Sequence, residues 1–135
     1  MGAILDVRRA CENRLASITP VVPTFYEGQA AESPDDLYQR CQFNILPPED
    51  PVFPAGYHRE RIEFQVFILC KKGEGTGEAY ERAELIRNTF YKSLTLLEGT
   101  TQIHILRTPS IGTAIPTTDR LVIPVIIGMI AEVYA

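Results

Sequence analysis

Several features are scarce or missing in this sequence, and each absence removes a class of function. Positive charge is short: thirteen Lys and Arg face seventeen Asp and Glu, for a net charge of −4, and no Lys/Arg run exceeds two. Non-specific affinity for nucleic acid comes mainly from neutralising phosphates, so duplex DNA or RNA is not an expected partner. Paired cysteines are also missing. Cys11, Cys41 and Cys70 are odd in number and widely spaced, which suits neither a disulfide framework nor a zinc site. Three reduced, partly buried thiols are expected instead. Long apolar runs are absent too, since the longest, Leu121 to Ala131, is too short to span a bilayer and contains Pro124. Asp6, Arg8 and Arg9 interrupt the apolar start, which argues against a signal peptide, and Asp6 occupies the position where a myristoylation motif wants Ser or Thr. The expectation is a cytosolic-type chain with no membrane contact.

Catalytic chemistry is equally thin. His58 and His104 are the only histidines, and Ser17, Ser33, Ser93 and Ser110 are scattered without a nucleophile–base signature. The carboxylate pairs Asp35-Asp36 and Glu49-Asp50 read as solvated turn residues, and Glu78, Glu81 and Glu84 as a solvated helix face. One segment is site-like. Gly73-Glu74-Gly75-Thr76-Gly77 follows a strand and precedes a helix, where phosphate-cradling loops sit. It lacks the Gly-Lys-Ser/Thr ending of a phosphate loop, has Glu78 where a dinucleotide loop needs a third small residue, and carries two carboxylates that repel phosphate. A flexible turn and helix cap is the better reading. Tyr26, Tyr38, Phe53 and Tyr57 lack the interleaved basic residues of a single-strand stacking platform. No catalytic residue, metal or cofactor is expected, and the chain reads as non-enzymatic.

What the sequence does contain is an ordinary globular core: 45% apolar and 22% charged residues over 135 positions fit a single domain, 1–135. Ile4, Val7, Cys11, Leu15 and Ile18 fall on one face of a helix from Gly2 to Ser17, with Asp6 and Arg9 on the other. Pro20 and Pro23 end it, and Val21-Val22 reads as a short edge strand. A connector from Phe25 to Pro34 precedes an alternating strand from Leu37 to Leu46. A loop from Pro47 to Gly56 then holds four prolines in eight residues, too many for a sheet interior. The strand Arg61 to Cys70 alternates most clearly, with Ile62, Phe64, Val66 and Ile68 on one side. Ala79, Ala83, Ile86, Phe90, Leu94 and Leu97 predict a long helix from Thr76 to Leu97, with Gly99 at its exit. Strand Gln102–Arg107, a loop from Thr108 to Asp119 and strand Arg120–Val133 complete the chain. The last strand is apolar without alternation, so both its faces are expected to be covered, and Pro124 places it at an edge or a bulge. The predicted fold is α+β: a four- or five-stranded, mostly antiparallel sheet with two helices packed on one face.

Several segments together resemble the tail-terminator-like proteins of long-tailed bacteriophages and prophages. They are Tyr38-Gln39-Arg40-Cys41 running to Leu46-Pro47; the strand from Arg61 to Cys70 passing through Gly73–Gly77 into Ala79, Ala83 and Ile86; and Arg107-Thr108-Pro109-Ser110-Ile111-Gly112-Thr113-Ala114 followed by Arg120-Leu121-Val122-Ile123-Pro124-Val125. Arg14-Leu15-Ala16 at the end of the first helix also fits. The chain departs from the pattern at Arg59-Glu60-Arg61, at Lys71-Lys72 and in the proline-heavy loop. The resemblance implies a virion structural subunit that forms a ring, often a hexamer, caps the tail tube, ends its polymerisation and contacts the head–tail neck. The implied partners are other copies of the chain, the major tail tube protein and head–tail connector proteins. The implied places are the bacterial host cytoplasm during assembly and the virion tail. Another neck or tail-completion protein is the alternative reading, and a small-molecule or nucleotide-binding module ranks below it. Candidate contact residues are Val52, Phe53 and Tyr57 in the first proline-bearing loop, Ile111 and Ile115 in the second, and Ile127 in the last strand.

Overall fold

A computed structural model describes residues 2–29, 36–51, 56–73 and 75–134. Helix α1 (Ala3–Ala16) buries Val7, Cys11 and Leu15 of the predicted stripe, with Ala10 beside them, whereas Ile4 at its start is exposed. Asp6, expected on the polar face, is buried as well. The Thr101 hydroxyl donates to its carboxylate at 2.7 Å, so the charge enters the interior with a partner. Strand β1 (Thr24–Phe25) forms just after the expected Val21-Val22 and runs parallel to β2 (Tyr38–Glu49), which pairs antiparallel with β3 (Tyr57–Lys71).

Strand β2 continues through Pro47 and Pro48, inside what composition marked as loop, with a register shift between Leu46 and Glu49. Parity accounts for Pro47, and the register shift accommodates Pro48. The Phe43 N–H points to the outer edge, where the Glu27 carboxylate accepts it at 2.8 Å. Pro47 shares that parity, so its missing donor lies on the unpaired side.

Helix α2 (Gly77–Thr89) is shorter than the predicted Thr76–Leu97. Past Thr89, whose carbonyl accepts from Arg14 Nε at 2.8 Å, Ser93 takes a left-handed φ of 75° and the chain reverses into β4 (Thr95–Glu98). Leu94 is buried in phase with the helical stripe but does not belong to it. Gly99, with φ 59°, turns the hairpin from β4 to β5 (Thr101–Ile105) and does not cap a helix.

The remaining strands are β6 (Ser110–Ile111), β7 (Ile115–Pro116) and β8 (Arg120–Tyr134). The four- or five-stranded antiparallel sheet is therefore corrected: among the described residues eight strands form one curled, mixed sheet in the order β1-β2-β3-β8-β5-β4, with β6 and β7 also on β8. The extra strands are only two to four residues long, too short to show a period, and two of them lie in the 108–119 segment read as loop.

Strand β8 is central. One edge pairs with β3 along its length, and the other takes β5, β6 and β7 in succession. Pro124 survives there because its nitrogen side faces the gap between β6 and β7 rather than β3. The Gly112 N–H donates to the Pro124 carbonyl at 2.8 Å, and a Cβ on Gly112 would meet Pro124 Cγ at 2.6 Å. Only glycine permits that approach.

The core lies between the helices and one sheet face. Ile62, Phe64, Val66 and Ile68 from β3 meet Ile123, Val125, Ile127 and Met129 from β8, with Ala79, Ala83, Ile86 and Phe90 above them. Each large side chain so buried contributes about 1.5–3 kcal/mol. A polar node closes one side: Arg82 Nε donates to Gln39 Oε1 at 3.1 Å and Arg82 Nη1 to the Pro20 carbonyl at 2.6 Å, while Gln39 Nε2 donates to Thr24 Oγ1 at 2.9 Å. This node ties the proline segment, β1, β2 and α2 together.

Candidate functional surface

Among the described residues the opposite face of the sheet carries no helix. Strand alternation and the pairing register place Tyr38, Arg40, Gln42, Asn44 and Leu46 of β2 there, beside Leu69, Phe67, Gln65, Glu63 and Arg61 of β3. Val122, Pro124, Ile126, Gly128 and Ile130 of β8 continue the surface, and all five are half-buried, whereas the alternate residues Ile123 to Ala131 are buried. Strand β8 is apolar on both faces, but among the described residues only one face is fully covered.

Polar networks flank this apolar stripe. On the β2 side, Gln42 Nε2 donates to Gln65 Oε1 at 2.8 Å and Asn44 Nδ2 to Glu63 Oε1 at 2.9 Å. At the far end five residues from four strands form one chain. Thr95 Oγ1 lies 3.1 Å from His104 Nδ1, and His104 Nε2 lies 3.1 Å from Glu132 Oε2. The Tyr57 hydroxyl donates to Glu132 Oε1 at 2.9 Å and accepts from Arg59 Nε at 2.9 Å. The hydrogen bonds from His104, and then Tyr57, hold the Glu132 carboxyl below its ordinary value. The sequence gives no sign of this cluster, because its members are far apart and meet only through strand pairing.

Thr95, His104 and Glu132 share the connectivity of a hydroxyl–imidazole–carboxylate relay, yet the setting does not suit acyl transfer. Thr95 is exposed on an edge strand, where water reaches its hydroxyl freely. His58 instead pairs with Glu60, Nε2 to Oε1 at 2.8 Å.

The thiols lie on the covered side. Burial pushes Cys41 up to about 12 and raises Cys11 further, and Cys11 Sγ lies 3.6 Å from Met129 Sδ. Neither supplies a thiolate near neutral pH. In the glycine loop, Gly73 and Gly75 take φ of 87° and 83°, Glu74 lies outside the described residues, and Thr76 makes no side-chain cap bond. The cavity beside it, about 440 Å³, is lined by Asp36 and Glu78 as well as Lys71, a poor setting for phosphate. Among the described residues no group of His, Cys, Asp and Glu is arranged to hold a metal, and no helix is long and apolar enough to cross a membrane.

The expected contact residues do not form one patch. Val52 and Phe53 lie outside the described residues, as do Ser33, Pro34 and Asp35 of the connector region. Tyr57 is half-buried in the polar chain, its ring 4.9 Å from that of Tyr134. Ile111 is half-buried against the core, and Ile115 is 54% exposed. Ile127 is 0% exposed, packed beneath the helices, so the uncovered position on that strand is its neighbour Ile126. The 108–119 segment is also more anchored than a loop: Arg87 Nε donates to the Pro109 carbonyl at 3.0 Å and the Ala114 N–H to the Tyr80 hydroxyl at 3.2 Å.

Residues 6–128 match a family model described as phage tail terminator protein. The match spans most of the sequence, and the chain belongs to that family. No curated protein matches it. One solved structure is similar over 100% of this chain and 99% of its own, with a TM-score of 0.78 at 19% identity, which shows a shared fold.

Proposed function

From membership of the phage tail terminator family, we propose that this chain is a ring-forming virion subunit that caps the finished tail tube, ends its polymerisation and presents a surface to the head–tail neck. The observation that supports this reading most is the helix-free face of the sheet, where a half-buried apolar stripe runs along β8 between two polar networks. Such a face is stable enough in water to persist before assembly, and gains by being covered. The sheet also ends differently on its two sides, with β4 at one edge and β1 and β2 at the other. Two unlike edges suit the head-to-tail contacts that close into rings. Ile115 and Tyr57, together with Val52 and Phe53, are the proposed contributors to contacts with neighbouring copies, the tube protein or the connector.

The test is tube-length control. Tail tubes assembled without the chain are expected to overgrow, and adding the purified chain is expected to stop growth and leave a ring at one tube end by electron microscopy. A protein that never associates with tube ends, under conditions where tubes form, is not a terminator.

A further inference from the structure

Gly128 is placed where the fold has no need of glycine. Its φ lies outside the left-handed region, and a Cβ there would meet nothing within 4 Å. Glycine in a strand interior is destabilising, and such a residue often marks the close approach of another group. On the open face Gly128 lies opposite Glu63 of β3. On its other side the Leu106 N–H still donates to the Gly128 carbonyl at 3.1 Å, and only beyond it does the chain leave β8, until β6 resumes at Ser110 opposite Ile126. The result is a notch of about 290 Å³, with Arg61, Arg107 and Glu63 around Leu46, Leu106 and Ile126.

The charges of the notch are unevenly used. Glu63 accepts from the Asn44 and Gln65 amides. Arg61 reaches Glu49 only at 3.7 Å, with both side chains about half exposed, a pair worth little in water. Arg107 makes no ion pair or hydrogen bond with the described residues. With Arg61 beside Glu49 and Glu63 held by amides, Arg107 is the guanidinium left without a partner among the described residues, beside an apolar wall. The volume is small for a metabolite site and suits one or two side chains.

We propose that this notch receives a carboxylate side chain, flanked by apolar residues, carried on an extended segment of a partner protein. One unpartnered guanidinium matches a single carboxylate, and the nearby Glu49 and Glu63 disfavour a phosphate dianion or nucleic acid. The planar Arg107 fork is suited to paired hydrogen bonds to a carboxylate. The missing Cβ at 128 lets the incoming backbone approach the strand. The proposal rests on the assembly reading only in taking the partner to be a protein.

The test is NMR titration of the intact chain with acetyl-Leu-Glu-Leu-amide, acetyl-Leu-Gln-Leu-amide and inorganic phosphate. The Glu peptide is expected to shift the Gly128 amide and Arg107 Nε–H resonances and to bind about tenfold more tightly than the Gln peptide, as a charge-assisted hydrogen bond implies. Gly128→Val should abolish the Arg107 shift while keeping or raising the thermal midpoint, because a Cβ there meets nothing within 4 Å and a strand favours a β-branched residue. Arg107→Gln should abolish the preference for Glu and serves alone if the valine variant does not fold. Equal binding of the two peptides, no response at Gly128, or tighter binding of phosphate than of the Glu peptide overturns the proposal. The tube-length experiment reads the terminator role separately, so either can fail without the other.

Discussion

Ile126 and Ile127 are adjacent, chemically identical, and lie on opposite faces of one strand. Ile127 packs under both helices in a continuous core, whereas Ile126 is half-buried on the helix-free side. The strand is stabilised from one face and left available on the other, a division between folding and contact that composition alone does not display. The largest expected effect probes it directly. Ile127→Asp should cost more than about 4 kcal/mol, because a charge would be buried without a partner, and should unfold the domain. Ile126→Asp should cost no more than about 1 kcal/mol, since its charge can reach water, yet should weaken association with tube ends. Urea denaturation of the two variants measures the contrast, and equal destabilisation would erase the difference between the faces.

Next in size is Arg82, at the border of the covered face. Arg82→Ala leaves the Gln39 amide oxygen and the Pro20 carbonyl without their donor, and about 2–3 kcal/mol should be lost. Arg107→Ala, on the open face, should change the denaturation midpoint little. If the two arginines behave alike, the buried node does not hold the proline segment as the geometry indicates.

Gly112→Ala tests the seam between the faces and should be milder, about 1–3 kcal/mol, because its Cβ would meet the Pro124 ring at 2.6 Å. Gly128→Ala is its control on the same strand system, with open space at the Cβ and a stability that should hold or rise. Thermal midpoints of the pair decide whether the glycines have different reasons to be present.

The parts of this division that were legible in sequence are those with a clear period. Val7, Cys11 and Leu15 announced α1, and Ile62 to Ile68 announced β3. The buried row of β8 was hidden because Val122, Ile126 and Ile130 are as apolar as Ile123 and Ile127, so no alternation separates the faces. Leu94 and Leu97 continued the α2 stripe numerically, and the reversal at Ser93 that sends them into a hairpin has no strong local signal. Strands β6 and β7 form because β8 offers an edge to pair with, a tertiary cause that the 108–119 segment does not carry itself. The surface was least legible. The Thr95–His104–Glu132–Tyr57–Arg59 chain and the notch over Gly128 both depend on which strands are neighbours.

The smallest expected effect concerns that polar chain. Glu132 has its carboxyl held below the ordinary range by hydrogen bonds from His104 and Tyr57. A depressed folded value means that the unfolded chain takes up the proton first as pH falls. The stabilisation is therefore complete above the ordinary carboxylate value and is lost as pH drops through the lower, folded one. Because the open face is wet, solvent screening keeps the contribution well below that of any core substitution. The urea midpoint of the parent chain should fall more steeply in acid than that of Glu132→Gln, and the two curves should run parallel where carboxylates stay ionised. Parallel curves throughout would mean that the network orders the open face without stabilising it, leaving the entire stability of β8 to the face beneath the helices.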